Sequence, residues 1–106
     1  MAIGAMFERS GFTSDMYDQV ASRVVAEGPP PGCLYHIAGP VEGGWRVIEV
    51  WESEEAQRAF QEDRLNPAFE AAGVEKVMPR YFEVHATLPP PEAMAALAAG
   101  SGPPTG

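Results

Sequence analysis

The chain has 106 residues, room for one compact domain with one modest core. Its 45% hydrophobic content is that of a globular protein, and no apolar run approaches the ~20 residues of a membrane-spanning helix. A net charge of −8, from 15 acidic and 7 scattered basic side chains, repels phosphate backbones and anionic lipid, so neither nucleic acid nor a membrane is an expected partner. The N-terminal MAIGAMFERSGF has no basic segment leading into a hydrophobic one. A single cysteine, Cys33, has no internal disulfide partner, and both features fit a cytoplasmic protein.

Ala2 to Glu8 reads as a short strand, interrupted at Gly11. Thr13 caps a first helix, with Phe12 and Tyr17 placed as a hydrophobic staple and Val20 and Val24 continuing the apolar face. Glu27 to Gly32, with three prolines, ends it. Cys33 to Ala38 is a second strand, Gly39 to Gly44 a connection rich in glycine, and Trp45 to Trp51 an alternating return strand. Ser53 caps a second helix with a thin apolar face of Ala56, Ala59 and Phe60. Asn66-Pro67 is read as the cap and first turn of a further short helix, which Gly73 stops. Lys76 to Leu88 is the last strand, and Pro79 argues for an edge position or a bulge.

The order is β-α-β-β-α-β, which specifies an α+β domain over residues 1–88, a ferredoxin-like four-stranded antiparallel sheet with helices on one face. Residues 89–106 form a Pro/Ala/Gly-rich tail, expected to be partly disordered, with at most a turn or two of helix from Glu92 to Ala99. Both helices are used on one face of the sheet. A second copy is the simplest cover for the other, so a homodimer packed sheet to sheet is expected.

The segment LYHIAGPVEGGWRVIEVWESEEAQRAF (Leu34 to Phe60) and the strand PRYFEVHATL (Pro79 to Leu88), taken with this element order, resemble the dimeric α+β barrel superfamily. The similarity is greatest to the small antibiotic-biosynthesis-monooxygenase-like proteins, and it extends over roughly Met1 to Leu88. The resemblance implies a site within each protomer, between sheet and helices. It also implies a range of activities: cofactor-independent oxygenation of aromatic polyketides, haem degradation, cyclisation and lactone isomerisation.

His36, on the second strand, is either a general base or a hydrogen-bonded structural histidine. Glu49 lies across the hairpin among Val47, Ile48 and Val50, where a carboxylate needs a partner. If Ala38 pairs with Trp45, His36 and Glu49 share a face, and a one-residue slip separates them. Trp45 and Trp51 share the face of Glu49 and are candidate pocket walls, or else core or interface. Tyr81 and His85 share a face of the last strand, and His85 resembles the strand histidine of similar family members. Tyr17 is a further candidate for ligand contact, although its staple role also accounts for it.

Cys33 reads as an inert thiol, the chain lacks a Cys/His cluster for a metal, and no glycine-rich phosphate loop runs from strand to helix. The expected function is cofactor-independent oxygenation, cyclisation or isomerisation of an apolar, polyketide-like substrate. His36 or Glu49 would take the proton, with His85 or Tyr81 stabilising enolate charge. The alternative is a non-catalytic small-ligand-binding module of the same fold. Haem chemistry ranks low, since neither helix carries a histidine.

Overall fold

A computed structural model describes residues 2–88; the tail and the helical turn read over Glu92 to Ala99 lie outside the described residues. The elements are β1 (Ile3–Ser10), α1 (Ser14–Val25), β2 (Cys33–Val41), β3 (Gly44–Trp51), α2 (Glu54–Phe60), a π-helical turn (Gln61–Leu65), α3 (Asn66–Ala72) and β4 (Arg80–Glu83). The four strands form one antiparallel sheet in the spatial order β2-β3-β1-β4. This is the ferredoxin-like arrangement, and it puts β4 at an edge, where Pro79 immediately before it withholds no ladder hydrogen bond.

The helix starts follow from side-chain capping. Thr13 Oγ1 accepts from the Met16 amide at 3.3 Å, and Ser53 Oγ accepts from the Ala56 amide at 3.1 Å. The C-terminal end of α1 is tied down by Arg64 of the π-helical turn, whose Nη1 donates to the Gly28 carbonyl at 2.7 Å.

The helical segment after Ser53 and the last strand differ from expectation. Asn66 does not cap a new helix: its φ of −60° and ψ of −45° are helical, and its amide donates to the Gln61 carbonyl five residues back. Pro67 has no N–H for the ladder, and the widened π-helical turn before it absorbs that loss within one continuous helical segment. Gly73, with φ 70°, ends this segment as read. The last strand spans only Arg80–Glu83 rather than Lys76 to Leu88.

The register assigns every side chain to a layer. Residues Gly44 and Val41 pair, so the hairpin turn is Glu42-Gly43, with Gly43 at φ 75°, and the connection is shorter than the six residues read from sequence. Ala38 pairs with Val47 rather than Trp45, a shift of two residues that keeps the faces unchanged. His36 lies directly opposite Glu49, Glu49 opposite Ala5, and Ala5 opposite Tyr81.

The helical layer covers this face. Ala5, Phe7 and Trp51 from the sheet pack with Val20, Val24, Phe60, Leu65, Ala68 and Phe69 as the core. The Trp51 and Phe60 ring centroids lie 5.0 Å apart. Among the described residues, no helix covers the opposite face. Tyr35, Ile37 and Phe82 lie exposed there, and the Phe82 ring lies over Gly4, where any Cβ would clash with it.

Candidate functional site

Beneath α1, the helical layer and the β2-β3-β1 part of the sheet enclose a cavity of about 300 Å³, at the small end of ligand pockets. Phe7, Val20, Val24, Val47 and Phe69 supply an apolar wall, into which Tyr17, His36, Glu49, Trp45 and Arg9 are set. Glu49 and Trp51 are buried at the inner end of this wall, while His36 lies at its exposed outer end.

The arrangement begins with Trp51, whose side chain is fully buried. Its indole N–H donates to Glu49 Oε1 at 3.0 Å. Glu49 is only 3% exposed, and its other oxygen, Oε2, lies 2.8 Å from His36 Nδ1. A carboxylate only accepts, so Nδ1 carries a hydrogen toward Glu49 and Nε2 of the neutral ring is the acceptor. The Tyr17 hydroxyl, reaching down from α1, lies 2.7 Å from that Nε2 and donates to it. The result is a continuous chain, Tyr17–His36–Glu49–Trp51, running from the cavity into the core. The hairpin places His36 and Glu49 opposite each other, and the Thr13 cap fixes the first turn of α1 from which Tyr17 projects. The Tyr17 ring also stacks against Trp45, with centroids 5.3 Å apart.

The electrostatics follow from burial. The Tyr17 hydroxyl is pushed above its usual range by desolvation first, then by the Glu49 and Asp18 charges, so it stays a phenol at neutral pH. Cys33 also lines the cavity. Burial, reinforced by Glu49, pushes its thiol up to about 11, which makes it a poor nucleophile at neutral pH.

Thus Tyr17, His36, Glu49, Trp45 and Trp51 meet at one site. Tyr81 and His85 do not line it. The Tyr81 hydroxyl donates to Gln57 Oε1, and the Arg58 guanidinium lies over its ring. Exposed His85 lies past the end of β4, which stops at Glu83. Arg9 was missed as a site residue. Its signal was available: it continues the β1 alternation of Ala5 and Phe7 on the helix-covered face, where an arginine is out of place unless it serves something. Among the described residues, no group of three or more His, Cys, Asp or Glu side chains could hold a metal ion, and no helix is long and apolar enough to cross a membrane.

No family model matches the chain, and no curated protein matches it. Solved structures do resemble it. A mutant of SnoaB, a cofactor-independent oxygenase from Streptomyces nogalater, superposes with a TM-score of 0.57 at 18% identity, covering 83% of this chain and 95% of that one. A protein from Chloroflexus aurantiacus J-10-fl, provisionally assigned as an antibiotic biosynthesis monooxygenase, superposes with a TM-score of 0.51 at 18% identity, covering 81% and 90%. The chain therefore has the ferredoxin-like α+β fold that these two structures share, as its element order implied.

Proposed function

We propose that the chain is a cofactor-independent enzyme that abstracts a proton from an apolar, polyketide-like substrate and so starts an oxygenation, cyclisation or isomerisation. The observation that carries this reading is the Tyr17–His36–Glu49 chain at the wall of an otherwise apolar cavity. His36 is the base. A proton leaving the carbon next to a substrate carbonyl reaches Nε2 either directly or by relay through the Tyr17 hydroxyl, which gives up its own proton to Nε2 as it receives the new one. The products of the step are an enolate and an imidazolium. Glu49 stabilises the imidazolium across the 2.8 Å contact, and Trp51 holds Glu49 in place. Trp45 and Trp51 line the cavity beside the apolar rings. The enolate then attacks dioxygen, attacks an internal electrophile, or is reprotonated elsewhere, which gives the three outcomes named. The likeness to a cofactor-independent oxygenase supports this reading at the level of fold.

A second copy on the open sheet face completes the proposal. Tyr35, Ile37, Met78 and Phe82 are each about half exposed in the single chain. A dimer in solution at micromolar concentration is the expected result of sedimentation analysis, and a monomer would contradict it.

The test of chemistry is deuterium exchange from heavy water into 2-tetralone, a fused-ring ketone with acidic carbon-bound hydrogens, followed by NMR. Protein-catalysed exchange that is lost in His36→Asn supports the proposal. A cavity that binds the ketone without accelerating exchange supports the binding-module alternative instead.

A further inference from the structure

Two hydrogen-bond donors on the cavity wall stand outside the chain of partners described above. Arg9 Nη1 and Trp45 Nε1 are shielded from solvent, and neither has a hydrogen-bond partner among the described residues. Buried donors are normally satisfied, so an orphan in a folded protein requires a reason. Here the two orphans are neighbours. Arg9, near the end of β1, and Trp45, near the start of β3, are Cα partners in the ladder, and both residues line the same cavity. Cross-strand partners project from the same face of the sheet.

The charge balance of the cavity points the same way. Glu49, the carboxylate that lines it, already accepts from His36 and Trp51 with both oxygens. Glu8, next to Arg9 in sequence, pairs with Arg46 at 2.9 Å. Among the described residues Arg9 takes part in no ion pair. Instead its guanidinium is held between aromatic rings, 4.9 Å from the Phe12 centroid and 5.7 Å from that of Phe69. The rings fix its plane without using its N–H groups. What results is a guanidinium held between rings and an unpartnered indole N–H, carried by paired strand positions on one cavity wall.

We propose that Arg9 and Trp45 form an oxygen-binding subsite that selects apolar ring ligands bearing an anionic oxygen, a carboxylate or a phenolate. A guanidinium pairs well with such groups, and in this low-dielectric setting the charge-assisted bond discriminates strongly against a neutral analogue. The overall charge of −8 disfavours anions in general, so a preference for one has to come from a local site. The subsite deepens the proposed function by naming the substrate class: the anionic oxygen is anchored at Arg9 and Trp45, and the reacting hydrogen is presented to the Tyr17–His36 end of the same cavity.

The test uses 2-naphthoate and 2-naphthylmethanol, which share a ring body and differ in charge. Each is titrated into the protein selectively labelled with ¹⁵N-tryptophan. The two indole N–H signals are assigned with Trp45→Phe. The expected result is at least about tenfold tighter binding of the naphthoate, with the Trp45 indole signal moving downfield as its N–H gains an acceptor. Arg9→Met and Trp45→Phe should shrink the preference for naphthoate over the alcohol, with circular dichroism showing that each variant is folded. Equal affinity for the two probes, no naphthoate binding, binding that leaves the Trp45 signal in place, or an unchanged preference in Arg9→Met would each overturn the proposal. The wild-type spectra decide it even if a variant fails to fold. Binding requires no proton transfer, so failure here counts against the subsite, and failure of ketone exchange counts against the relay.

Discussion

The space between sheet and helices contains two polar clusters, and they are finished differently. On the β4 side, Gln57 and Gln61 are almost completely buried, yet each is satisfied from within. Gln57 donates to Gln61 Oε1 at 3.1 Å and accepts from Tyr81, while Gln61 donates to Asn66 Oδ1 at 2.8 Å and to the Val77 carbonyl at 2.9 Å. On the β2 side, the chain from Trp51 to Tyr17 ends at a cavity, and two further donors have no partner among the described residues. A closed network locks the helical segment to the sheet. An open-ended one presents its last groups to whatever enters. Buried polarity alone therefore does not mark a site in this fold; polarity that runs out at a cavity does.

The strongest way to break this comparison is to cut each cluster and read both activity and stability. His36→Asn places an amide N–H where Nδ1 stood, so Glu49 keeps a donor while the Nε2 acceptor is lost. Exchange into the ketone should fall about 10²- to 10⁴-fold with little change in melting temperature. Glu49→Gln should lose activity to a similar degree by another route. Its amide would donate to Nδ1 and force the ring hydrogen onto Nε2, the wrong tautomer for accepting a proton there. If either variant keeps wild-type exchange, the relay is not the base.

Gln61→Ala is the counterpart on the closed side. It removes three hydrogen bonds and leaves a void in the core, for a cost of about 2–4 kcal/mol and a melting temperature roughly 10–25 °C lower. Exchange measured well below the melting transition should stay within a few-fold of wild type. A destabilised Gln61→Ala that also loses exchange at low temperature would mean that the two clusters are coupled and the comparison fails.

How much of this could be read from residues alone follows the range of the interactions. The strand alternation, the Thr13 and Ser53 caps and the Gly73 stop are local, and they read correctly. Whether His36 and Glu49 share a face stayed open in the sequence, because a one-residue slip reverses it; the Glu42-Gly43 turn sets the register that places them opposite each other. The bond from Tyr17 to His36 joins a helix to a strand 19 residues away, and no periodicity reports it. Nothing in the local sequence singles out Gln57 and Gln61, whose burial is made tolerable by each other and by Tyr81, Asn66 and the Val77 carbonyl. The last strand, read as Lys76 to Leu88, is shorter because β1 pairs only with Arg80–Glu83, a limit set by a strand far away in sequence.

The smallest effect is the most local, and it bears on the apolar character of the cavity. Cys33 pairs with Trp51 across the β2-β3 ladder and lines the cavity beside Glu49. Its thiol, ordinarily near 9.0, is pushed up to about 11 by desolvation first and the Glu49 charge second. The native state therefore holds the proton more tightly than the unfolded chain. The resulting stability is fully present below about pH 9 and is lost as pH rises toward 11. Tyr17 and Tyr81, both raised mainly by burial, add losses of the same sign at higher pH. Alkylation of Cys33 by iodoacetamide should accordingly show a midpoint near pH 11 in the folded protein and near 9.0 in denaturant. Glu49→Gln should bring the folded midpoint down without restoring it fully, because burial is the larger cause. A folded midpoint equal to the denatured one would mean that water and hydroxide reach this wall freely. A cavity wetted to that extent would not strengthen the Glu49–His36 contact, and the contrast between a closed cluster and an apolar, open-ended one would lose its physical basis.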